Sequence, residues 1–158
     1  MSWENTMGMT YKDKLEEAKM RNIAIPSEIL DKDIVGVYKF FAILEDEKIC
    51  FYIGKSTNIR ERLLSSNGHI HLFFKESEKL VPSEIKYYLG EKYIIEVEII
   101  EVDYYDTEFS RASHRLALAE LAEIGKYQSQ GQCLKQLPEG VSINEIKYWE
   151  NNYKLGNK

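Results

Sequence analysis

The 158-residue chain is poor in cysteine, with only Cys50 and Cys133. Two cysteines are too few for a disulfide scaffold or a cysteine-built zinc site. They read as small buried apolar residues in a reducing compartment. Three prolines and nine glycines exclude a collagen-like or low-complexity chain. No apolar run approaches the ~18 residues of a membrane-spanning helix. The opening MSWENTMGMT lacks a basic start and an apolar stretch. No secretory leader is therefore expected, and a cytoplasmic location is. Positive charge is not in excess either: 21 Lys and Arg face 26 Asp and Glu, a formal net charge of −5. That excludes a basic coat for nucleic acid, so any anion site must be a local patch.

Apolar residues make up 44% and aromatics 12%, enough for one real core. A chain this long buries roughly 70% of its unfolded surface. Residues 11–21 suit a short charged helix that ends before Pro26. Residues 34–44, IVGVYKFFAIL, and 48–54, KICFYIG, read as two strands of a hairpin broken at 45–47. A helix is expected over 59–66, entered through small polar residues at 56–58 and stopped near Asn67-Gly68. Short helices are expected over 70–75 and after Pro82. Residues 92–102 alternate as a third strand. Residues 107–126 form the longest helix, with Thr107 as its capping candidate, and 142–152 the last, with Ser142 and Glu145 in capping-box spacing. The expected architecture is α+β: a small three-stranded antiparallel sheet flanked by helices. Residues 1–33 read as an N-terminal extension to a domain over 34–158, with an insertion at about 67–91.

The hairpin carries the first chemistry. By the period of two, Gly36, Tyr38 and Phe40 share one face, and Cys50, Tyr52 and Gly54 share one face. The two tyrosines converge if the strands pair in that register. With Lys55 and Arg62 close behind, they make a phosphate site. Arg62 can fork onto non-bridging oxygens, and Lys55 adds a point charge. A tyrosine starts near ~10, so it needs such cations to act as a base at neutral pH. Segment 52–75 holds Lys55, Arg60, Arg62 and Lys75 against Glu61 alone, a local patch able to hold a nucleic-acid backbone.

On the long helix, Leu116, Glu120 and Ile124 form an i, i+4, i+8 line. A carboxylate on that core-facing stripe needs a cation, either a metal ion or a basic side chain. Glu123 is its rival but lies three residues before Lys126, as a surface pair would. His69 and His71 are candidates for proton transfer, though packing is the commoner role of such histidines. His114, beside Arg111 and Arg115, reads more simply as part of a solvated basic face.

Gly36-Val37-Tyr38 followed by Tyr52-Ile53-Gly54, with Lys55 next and Arg62 eight residues after Gly54, resembles the signature of the GIY-YIG nucleases. Glu120-Leu-Ala-Glu-Ile-Gly-Lys-Tyr resembles their glutamate helix. The resemblance implies a metal-dependent endonuclease acting on double-stranded DNA, of restriction or mobile-element type. It implies Tyr38 as general base and Tyr52 as positioner, with exchangeable roles. Glu120 would be the ligand of Mg²⁺ or Mn²⁺, and Gly36 and Gly54 would shape the backbone. Lys55, Arg60, Arg62, His69 and Arg115 are the expected DNA contacts. Gln132 stands where the family carries an asparagine, twelve residues after Glu120, with Asn144 as a remote substitute. The hairpin is longer than the family's, and Ser66 replaces a histidine found in some members. Cutting two strands from one site per chain favours a homodimer. A catalytically silent nucleic-acid-binding or interaction module on the same fold is the alternative.

Overall fold

The computed structural model describes residues 8–138, 140 and 143–153. Thr10 caps helix α1 (Tyr11–Met20) through its side chain, and Asp13 returns the bond to the cap backbone. A two-residue strand β1 (Ile23–Ala24) and a 3₁₀ turn (Ser27–Leu30) lead to β2 (Gly36–Leu44) and β3 (Glu47–Ser56). Helices α2 (Ile59–Leu64), α3 (His69–Phe74) and α4 (Leu80–Gly90) follow, then β4 (Ile94–Glu101). The long α5 (Phe109–Gln128) and α6 (Ile143–Asn152) close the described chain.

The sheet order is β1-β4-β2-β3. Strands β4, β2 and β3 pair antiparallel, as expected. The sheet nevertheless has four strands and is mixed, because β1 adds to β4 in parallel. Two residues of strand leave no readable period in the sequence. Central β2 is covered on both faces, which explains why its sequence is almost continuously apolar.

Helices α1–α4 cover one face. Ala18, Ile23 and Ile29 from the N-terminal segment join Ile70, Phe74, Val81 and Ile85 in one cluster with Tyr38 and Phe40. The stretches read as extension and insertion therefore help build the main core. The other face carries Val37, Phe41, Cys50 and Ile53 against Ile124 of α5.

Three local expectations change. Pairing runs Phe40↔Tyr52 and then Phe41↔Cys50, so Phe51 is the extra residue of a β-bulge. The bulge turns Cys50 to the α5 face, away from Tyr52. The N-cap of α5 is Glu108, and its side chain makes no capping bond. Thr107 instead accepts from Arg111 Nη2 at 3.0 Å. Helix α4 begins at Leu80, before Pro82. A first-turn proline loses no intrahelical bond there. Ser142, the other proposed cap, lies outside the described residues. No helix among the described residues is long and apolar enough to cross a membrane.

A methyl group at Gly36 would lie 2.1 Å from the Ile100 carbonyl oxygen, a backbone atom that cannot swing aside. At Gly125, in α5, it would meet nothing within 4 Å. Gly36→Ala is expected to destabilise the fold by about 1–3 kcal/mol through overpacking. Gly125→Ala is expected to stabilise it by up to ~1 kcal/mol through helix propensity. Urea unfolding of the two variants checks the contrast.

Candidate functional site

At the C-terminal end of β3 the chain leaves the sheet and enters α2. Asn58 caps that helix by accepting from the Glu61 amide at 3.1 Å. Here lies a cleft of about 480 Å³, lined among others by Ser56, Asn58, Arg62 and Asn67 on the α2 side. Lys55, Leu116, Asn144 and Glu145 line it towards α5 and α6. The lining thus combines neutral donors with two cations, Lys55 and Arg62, and two carboxylates, Glu61 and Glu145.

The pleat divides the expected catalytic set. Tyr38 pairs with Gly54 across the hairpin, and its ring fills the space where a side chain at Gly54 would stand. An added Cβ there would sit 2.4 Å from the Tyr38 hydroxyl. Tyr38 is fully buried, and its hydroxyl lies 2.9 Å from Nε2 of His69. Burial, aided by the nearby Arg62 charge, holds the His69 imidazole down at about 3. At neutral pH the ring is therefore uncharged, and the tautomer it adopts decides whether Nε2 or the Tyr38 hydroxyl donates in their hydrogen bond. Tyr52 is half-buried beside them, its ring centroid 6.2 Å from that of Tyr38 and 5.5 Å from that of His69.

Lys55 points to the other face. Its ammonium meets Glu145 Oε1 at 3.1 Å, with both side chains only 5% exposed. It also donates to the Gly140 carbonyl at 3.4 Å. The second Glu145 oxygen accepts from the Tyr104 hydroxyl at 2.9 Å. Burial and the neighbouring carboxylate push the Tyr104 phenol up, so it remains a donor. Glu145 was not singled out by the sequence beyond a capping role. The signal was its place one turn before Trp149, also buried, on the inward stripe of α6.

Glu120 is fully buried on α5, between Leu116 and Ile124. It does not line the cleft, although Leu116, one turn earlier, does. Glu123 is not a surface partner of Lys126: its Oε1 accepts from Lys39, a buried lysine of β2, at 2.7 Å.

Other candidates lie elsewhere. Arg60 is tied to Asp33 and to the Ile29 carbonyl. Arg115 clamps the turn after β4, through the Asp103 and Tyr105 carbonyls and Asp106. Arg111 also pairs with Asp106. His71 is buried on α3, and His114 is exposed on α5. Gln132 accepts from the Cys50 amide at 2.7 Å, at the outer edge of β3. Of the two candidate amides, Gln132 and Asn144, the one that reaches the cleft is Asn144.

Among the described residues no group of three or more His, Cys, Asp or Glu forms a preassembled metal cage. A hydrated Mg²⁺ does not need one, since one or two carboxylates plus substrate phosphates commonly hold it. Glu120 has the donor chemistry for that arrangement and stands one turn from the cleft.

The depressed His69 pKa makes a stability prediction. The unfolded imidazole binds a proton below its ordinary pKa of about 6.5, and the folded one does so only near pH 3. The unfolded state thus holds more protons in that window, and stability falls as pH drops through it. Comparing urea midpoints at pH 7.5 and pH 5, His69→Gln is expected to lose less stability than wild type. Equal losses would refute the buried neutral ring.

No family model, curated protein or solved structure matches the chain, so the reading of the cleft rests on its own residues.

Proposed function

We propose that the chain is a divalent-metal-dependent endonuclease that hydrolyses DNA phosphodiester bonds at this cleft. The observation that carries the reading is the meeting of Arg62, Lys55 and a ring of neutral donors at the end of β3; Tyr38, Tyr52 and His69 do not line the cleft, but the Arg62 charge reaches His69. Arg62 forks onto the non-bridging oxygens and stabilises the charge that grows as phosphorus is attacked. Lys55 has three N–H donors. Glu145 and Gly140 take two, which orients the ammonium and leaves the third for phosphate. Tyr38 is sealed from water, so the role of accepting the nucleophile's proton falls to half-exposed Tyr52. Tyr38 and His69 hold the Tyr52 ring from behind. Mg²⁺ or Mn²⁺, held by Glu120, would supply Lewis-acid polarisation of the phosphate. A homodimer would bring two such sites to the two strands.

One observation favours a second reading, a silent nucleic-acid-binding module. Lys55 is already neutralised, and the two cations of the cleft lining are matched by Glu61 and Glu145. Tyr38 and Glu120 are both sealed.

Supercoiled plasmid incubated with the protein in Mg²⁺, Mn²⁺ and EDTA separates the readings. Metal-dependent cutting is expected, with Arg62→Ala losing about 10²–10³-fold. Tyr52→Phe should lose more activity than Tyr38→Phe, and Glu120→Ala should abolish metal-dependent cutting. Retardation of DNA without cutting in either metal would establish the silent module. In both readings Glu145→Gln removes a negative charge from the cleft lining. Filter binding across salt concentrations should then show tighter DNA association and a slope steeper by up to about one counterion.

A further inference from the structure

The two cysteines lie far apart in sequence but meet at the outer edge of the sheet. Cys50 is buried in β3, and Cys133 sits half-buried in the turn after α5. Their sulfurs are 3.8 Å apart, and the Cys133 thiol donates to the Cys50 carbonyl at 3.1 Å. The turn is held against the strand by side chains alone. Gln132 accepts from the Cys50 amide at 2.7 Å, and Gln136 accepts from the Ile53 amide at 3.1 Å. These two glutamines cap backbone donors that an edge strand otherwise leaves open. Cys133 adopts a left-handed backbone, φ 54°, and Gly131 does so as well, φ 79°. The turn is irregular chain and Cys50 belongs to a paired strand, so closing the gap to a bond of about 2.05 Å falls to Cys133.

We infer that Cys50 and Cys133 form an oxidisable dithiol, which a peroxide closes into an intramolecular disulfide stapling this turn to β3. The two sulfurs have different parts. The side-chain pairing with Cys50 holds the Cys133 thiol below its ordinary range. The same pairing, together with burial, pushes the Cys50 thiol up. Cys133, half-exposed, is therefore the sulfur that reacts first. Its thiolate attacks one peroxide oxygen, the O–O bond breaks, and a sulfenic acid forms as the other oxygen leaves as water. The Cys50 sulfur then attacks Cys133 Sγ. The S–O bond breaks, and a second water leaves with the Cys50 proton. Two thiols are oxidised and one peroxide is reduced to two waters. This chemistry is independent of the cleft. Its effect is to fix the glutamine caps on the strand that carries Tyr52 and Lys55.

The test treats the full chain with hydrogen peroxide and reads intact mass, a peptide map and thermal melting. The expected product is monomeric, lighter by two hydrogen atoms, with the Cys50 and Cys133 peptides linked. It melts several degrees higher, because the bridge closes a long loop in the unfolded chain, and dithiothreitol reverses the change. Cys50→Ala should leave a Cys133 sulfenic acid that dimedone traps. Cys133→Ser, altering the partly exposed partner, should leave Cys50 unoxidised. The proposal is overturned if both thiols survive peroxide, if Cys133 proceeds to sulfinic acid without a linked peptide, or if the disulfide joins two chains. It is equally overturned if Cys50 is oxidised in the Cys133→Ser protein.

Discussion

The pairing of Tyr38 with Gly54 is the contact on which the cleft depends. A phenol ring lies where any side chain larger than hydrogen would have to go. That contact fixes the register of β2 against β3, buries the Tyr38 hydroxyl at His69, and sets Tyr52 beside both. A slip of one residue in either strand would send its tyrosine to the α5 face and break the main core. The bulge at Phe51 is the other half of this arrangement. It keeps Tyr52 facing α1–α4 while turning Cys50 towards α5 and the turn that holds Cys133.

From the same strand, Lys55 projects to the opposite face and meets α6. A lysine and a glutamate that are both sealed from water are tolerated only because each is paired and hydrogen-bonded. Tyr104, held by the turn that Arg115 clamps, takes the second Glu145 oxygen. The chain of bonds Arg115, turn, Tyr104, Glu145, Lys55 thus ties the start of α5 and the last helix to one wall of the cleft. Arg115, read as a DNA contact, is engaged within that turn, and its bonds reach the cleft through Tyr104 and Glu145.

The long elements were legible because local pattern and tertiary burial agree in them. Strands β2 and β3, the long α5 and the Asn58 cap follow directly from periodicity and capping chemistry. The hidden features depend on contacts between distant residues. Strand β1 is too short to show a period. The bulge at Phe51 depends on which residue of β2 faces which of β3. Lys39–Glu123 and Lys55–Glu145 join residues more than eighty positions apart. The stripe rule that singled out Glu120 on α5 applies equally to Glu145, four residues before Trp149, and would have found it. The amide at the cleft was sought twelve residues after Glu120, but the turn after α5 carries Gln132 to the β3 edge instead, and Asn144 arrives from α6.

The most direct test of the central claim, that the end of β3 is where a phosphate backbone binds, is an amide NMR titration with a short DNA duplex in EDTA, where no cutting occurs. Binding at the cleft would concentrate the shifts at Ser56, Thr57, Asn58, Arg62, Asn67 and Asn144. Shifts gathered instead around Ile25, Glu28 and Glu96, at the opposite edge of the sheet, would contradict it, as would no shifts at all.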